Sequence, residues 1–80
     1  MFDMAMLSKV DALKAIEAAR AGGKRVVGVE GFERKGAGYV PRMDQIGDFS
    51  ESDVVETCAR AARDMIEEAD ATLLWELVVE

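Results

Sequence analysis

Five of the seven glycines and the only proline of this 80-residue chain fall between Lys24 and Ser50, in KRVVGVEGFERKGAGYVPRMDQIGDFS. Turn-forming residues concentrated in one stretch confine the regular helices to its two sides and make the stretch itself a strand, a turn and a loop. The residues before it read as one helix. Those after it read as a second helix and a second apolar strand.

The first helix spans about residues 9 to 21. Ser8 with Asp11 three residues on resembles a capping box, Val10, Leu13 and Ile16 form a narrow apolar stripe padded by Ala12, Ala15 and Ala19, and Gly22-Gly23 supplies the stop. Residues 1 to 7 are ambiguous, because Phe2, Met4 and Met6 alternate as a strand would while Phe2, Met6, Val10 and Leu13 fit a helical stripe. An irregular start or a helix extension is the expectation.

Arg25 to Glu30 is the first expected strand, with Val27 and Val29 on one face and Val26, Gly28 and Glu30 on the other. A charged turn from Glu33 to Gly38 leads to a second strand opening at Tyr39 and Val40, which Pro41 cuts short and confines to a sheet edge. Ile46 and Phe49 are expected as buried anchors that hold Asp44 and Asp48 outward, and Ser50 as the cap of the next helix. That helix, about Glu51 to Ala69, has an apolar stripe of Val54, Val55, Cys58, Ala61, Ala62, Met65, Ile66 and Ala69. Its last turn carries Glu67, Glu68 and Asp70, acidic groups placed against the negative end of the helix dipole. Thr72 to Val79 alternates cleanly, with Leu73, Trp75, Leu77 and Val79 on one face.

The expected architecture is a single two-layer α/β domain over residues 1 to 80, in the order helix, strand, strand, helix, strand. The sheet is expected to have three strands, mixed or antiparallel, in the spatial order 2-1-3 with both helices on one face. The other face would show Val26, Gly28, Glu30, Leu74, Glu76 and Val78, apolar enough to suggest contact with the N-terminal residues or with another chain, as in self-association through that face or through the last strand.

The chemistry is narrowed mainly by exclusion. The chain has no histidine, which removes histidine-activated nucleophiles, histidine acid/base work and most zinc and iron sites. Gly28-Val29-Glu30-Gly31 and Gly36-Ala37-Gly38 complete no dinucleotide fingerprint, and Gly23-Lys24 lacks the rest of a phosphate-binding loop. Asp44 and Asp48, with Glu51 or Glu30, could form a carboxylate site for a divalent cation or for glycoside chemistry, but carboxylates before a helix are more often caps or solvated loop groups. The expectation is therefore no enzyme, no cofactor and no metal. The single cysteine, Cys58, reads as a reduced, buried thiol. No apolar run approaches a membrane span and no leader pattern is visible, so the chain is expected to be soluble and cytoplasmic.

Charge is the informative quantity. The formal net charge is −6, yet residues 1 to 43 hold eight basic and five acidic groups, while residues 44 to 80 hold two basic and eleven acidic ones. Nucleic acid and anionic membrane are poor partners for such a surface, and a basic protein is a good one. The same acidity could serve solubility alone.

Arg25-Val26-Val27-Gly28-Val29-Glu30-Gly31-Phe32 and Met43-Asp44-Gln45-Ile46-Gly47-Asp48-Phe49-Ser50 resemble segments of small predicted immunity proteins of bacterial polymorphic toxin systems. The resemblance implies a non-catalytic inhibitor that neutralises a cognate toxin by binding it, often as the acidic partner of a basic nuclease domain. It assigns no contact residue, since toxin contacts differ between pairs. The charge pattern supplies the candidates: Asp44, Asp48 and Glu51, assisted by Asp64, Glu67 and Glu68. The other reading is a small homodimeric structural or regulatory subunit that uses its exposed sheet face.

Overall fold

The computed structural model describes residues 2 to 80, and side chains from residue 5 onward. Its elements are β1 (Phe2–Leu7), α1 (Lys9–Ala21), β2 (Val26–Lys35), β3 (Gly38–Asp48), α2 (Val55–Glu68) and β4 (Leu74–Val79). All the strands pair antiparallel in one four-stranded sheet of order β1-β4-β2-β3. The expected three-stranded sheet is thus overturned by a fourth strand, formed from the residues read as an irregular start or helix extension.

Two features hide β1 from a periodicity argument. Met6 has a positive φ of 57°, and the pairing with β4 shifts register between Met4 and Leu7. Each breaks a simple two-residue alternation. Pairing on both sides also closes β4 to strand-edge association.

Because β1 and β2 both run antiparallel to β4, they are parallel to each other with β4 between them. β3 and β4 stand in the same relation across β2. Two β-α-β crossovers therefore interlock, and both helices pack on one face of the sheet. The core joins Ala12, Ile16 and Ala19 of α1 and Ala59, Ala62 and Ile66 of α2 to Val26, Val29, Trp75, Leu77 and Val79 of the sheet. Fully burying a side chain such as Leu77 or Ile66 contributes about 1.5–3 kcal/mol. Alanines at the helix contacts bring the helices close to the sheet, and the buried stripe of α1 runs through Ala12, Ile16 and Ala19, so that Val10, placed in the expected stripe, lies round the helix and is 61% exposed.

A bulge changes the faces of β2. Val26 pairs with Val79 and Gly28 with Val78, so Val27 is the extra residue, and Val26 and Val29 both face the helices. Val26 is fully buried and does not belong to the outer face where it was expected.

Two further boundaries differ. β3 continues past Pro41, which an edge strand tolerates because its outer side has no neighbouring strand to which a backbone N–H must donate. The second helix begins at Val55, with Val54 as an N-cap that makes no side-chain bond. Ser50 is not its cap: the Asp48 carboxylate accepts from the Ser50 backbone N–H and hydroxyl at 3.0 and 2.6 Å, and the Ser52 hydroxyl accepts from the Val54 N–H at 3.1 Å. The residue types that cap helices also close local turns, and here the turns win. α1 does start at Ser8, whose hydroxyl accepts from the Asp11 N–H at 3.1 Å.

Candidate functional site

Between Glu30 and Phe32 of β2, β3 runs from Pro41 to Ile46, so Arg42, Met43, Asp44 and Gln45 stand opposite Gly31 alone. This bulge can lie against the sheet because Gly31 has no side chain. A Cβ there would fall 2.9 Å from Cβ of Gln45 and 3.1 Å from Cζ3 of Trp75. Gly47 permits a second close approach, since its Cβ would meet Cζ of Phe49 at 2.6 Å and Sδ of Met65 at 2.9 Å. Arg42 ties the bulge together: Nε and Nη2 donate to the Asp44 carboxylate at 3.1 and 3.0 Å, and Nη1 lies 3.5 Å from Glu33.

Beside the bulge, where the last turn of α2 passes, lies an open cleft of about 400 Å³ lined by Asp44, Gln45, Met65, Glu68 and Ala69. Met65 and Ala69 give it an apolar floor, and Asp44 and Glu68 carry its charge. The i, i+3 and i+4 spacing of Met65, Glu68 and Ala69 puts all three on one side of the helix.

The structure brings together only part of the expected acidic surface. Asp44 and Glu68 meet at the cleft, with Asp64 and Glu67 exposed on the same end of α2. Asp48 and Glu51 do not line the cleft: Asp48 ends β3, next to the Gly47 that approaches Met65, and Glu51 lies in the segment leading into the N-terminal end of α2. Asp48 is occupied by Ser50, whose hydroxyl and N–H hold its carboxyl below the usual carboxylate range. Asp44 is likewise held low, first by the hydrogen bond from Arg42. Glu67 lies 3.8 Å from Arg63 one turn back. Ile46, expected as a buried anchor, is 46% exposed, and Phe49 is half-buried against the core.

The acidic last turn of α2 has a compensating cation that the sequence reading missed. Lys9 Nζ donates to the backbone carbonyls of Glu67 at 2.9 Å and Ala69 at 2.7 Å. Asp70 turns away to accept from the Thr72 N–H and hydroxyl, both at 2.8 Å, which lowers its pKa. Gln45, Met65 and Ala69 were also not expected at a site. The available signals were Gly31 and Gly47, each marking a close backbone approach beside the bulge.

Among the described residues no group of three or more histidine, cysteine or acidic side chains could hold a metal ion. No helix among them is long and apolar enough to cross a membrane. Cys58 is buried, its thiol 3.4 Å from the Phe49 carbonyl. Comparison with protein-family models, curated proteins and solved structures found no match.

Proposed function

We propose that this protein is a non-catalytic inhibitor of the immunity type, which binds a basic protein partner, a bacterial toxin domain, through the acidic end of α2 and the adjoining β3 bulge. The observation that carries the reading is the cleft itself. Two carboxylates, Asp44 and Glu68, flank an apolar floor of Met65 and Ala69. That combination suits a lysine or arginine whose aliphatic stem packs on the floor while its charged head meets Glu68 and shares Asp44 with Arg42. Asp64 extends the negative surface along α2, whereas Glu67 lies round the helix from the cleft beside Arg63 and is a peripheral contact. Glu51 lies at the far end of the helix as a secondary contact, and Asp48 belongs to the turn rather than to the contact surface.

The test is co-expression with a candidate basic toxin domain, scoring growth and co-purification for wild type and for Asp64→Lys/Glu68→Lys. Both positions are exposed, and surface charges of this kind add about 0–1 kcal/mol to stability. Protection lost with an unchanged melting temperature supports the reading. Full protection by the variant removes this surface from the contact.

A further inference from the structure

We infer that the sheet face opposite the helices binds a second copy of this chain, face to face, about a two-fold axis that crosses the strands at the level of Phe32. The register fixes what this face presents. Phe32 pairs with Pro41 and Leu74, Glu30 with Ile46 and Glu76, and Arg34 with Tyr39. Paired residues share a face, and the neighbouring positions Val29, Trp75 and Leu77 lie in the helix-side core. Three rows therefore succeed one another along the strands: Arg34 and Tyr39, then Pro41, Phe32 and Leu74, then Ile46, Glu30 and Glu76. Phe32, Leu74 and Val78 are half-buried yet pack against no residue of the core cluster.

Within one copy the charges of this face are unmatched. Glu30 and Glu76 stand directly opposite each other, an unfavourable like-charge pair. Neither of them, nor Arg34, forms an ion pair among the described residues. Arg34 instead lies over the Tyr39 ring, 5.5 Å from its centroid. Rows two residues apart are about 6.7 Å apart along a strand. An axis through the Phe32 row therefore places the Arg34 row of one copy over the Glu30 row of the other. Arg34 then meets Glu30 and Glu76, Tyr39 meets Ile46, and the apolar row of Phe32, Pro41 and Leu74 meets itself. Each copy supplies what the other lacks, the self-complementarity that a two-fold interface requires. The helix side, with its acidic surface, stays free, so this inference is independent of the proposed inhibitory function.

Sedimentation of wild type, Arg34→Glu and Arg34→Glu/Glu30→Lys from low to high micromolar concentration tests it, with circular dichroism confirming that each variant is folded. Wild type is expected to dimerise. Arg34→Glu should weaken the dimer about tenfold or more, because it sets three carboxylates against one another. The double variant, which restores opposite charges across the axis, should recover most of that loss. A strictly monomeric wild type, a dimer indifferent to Arg34→Glu, or a double variant that fails to recover would each overturn the inference.

Discussion

The ammonium of Lys9, in the first turn of α1, donates to the carbonyl of Ala69 at 2.7 Å, and so closes the C-terminus of α2 from 60 residues away in the chain. The last turn of α2 has no basic residue of its own, and its terminal carbonyls are where the helix dipole is negative. Replacing Lys9 by methionine keeps the stem and removes the charge and both hydrogen bonds. The expected loss is about 1–2 kcal/mol, or a melting point lower by about 4–15 °C for a domain of this size. Thermal and urea denaturation measure it. An unchanged stability would mean that water satisfies these carbonyls equally well.

Arg25 holds the loop before α2 to the end of β4. Its guanidinium donates to the Ser52 carbonyl at 2.6 Å and to Glu80 at 2.7 Å, while its backbone exchanges two hydrogen bonds with Glu80. Arg25→Met should cost about 1–3 kcal/mol and raise hydrogen exchange in residues 50 to 54 before it does so in the helices. Uniform loss of protection would show that the loop is held by other contacts.

Gly31→Ala places a methyl group 2.9 Å from Cβ of Gln45 and 3.1 Å from Cζ3 of Trp75. Trp75 is fully buried and cannot retreat without opening the core, so the bulge must move. A destabilisation of about 1–3 kcal/mol is expected, with Trp75 fluorescence shifted in the folded state. A variant as stable as wild type, with the same fluorescence, would show that the bulge yields freely.

Acid stability should be set in part by Asp48 and Asp70. Hydrogen bonds from Ser50 and Thr72 lower their folded-state pKa values from 3.8. A carboxylate whose pKa is depressed on folding stabilises the native state above the unfolded value, and that contribution is lost as pH falls through the depressed one. Asp48→Asn/Asp70→Asn keeps an acceptor at each turn and removes the titration. Its stability should therefore change less than that of wild type between about pH 5 and pH 2. Parallel curves for the two proteins would contradict the assignment.

What was legible in the sequence is what short-range pattern determines. Ser8 and Gly22-Gly23 bound α1, the alternation from Leu73 to Val79 marks β4, and the glycines around Lys35 mark the hairpin. The remainder depends on departures from period or on distant partners. β1 is obscured by the bulge beside Met6, the start of α2 by turn chemistry that mimics a cap, and the face of Val26 by the extra residue in β2. At the candidate site, the acidic residues were visible as charges. Their meeting at one cleft depends on Gly31 admitting Gln45, and their compensation on Arg42 and on Lys9 from another helix, none of which a local pattern records.

The central claim, that the acidic end of α2 engages a basic partner, is tested most directly by stopped-flow association with a candidate basic toxin domain over a range of salt. Wild type should associate fast at low ionic strength and slow steeply as salt rises, whereas Asp64→Lys/Glu68→Lys should associate slowly at every salt concentration with little salt dependence. Equal rates and equal salt slopes for the two proteins would contradict the claim.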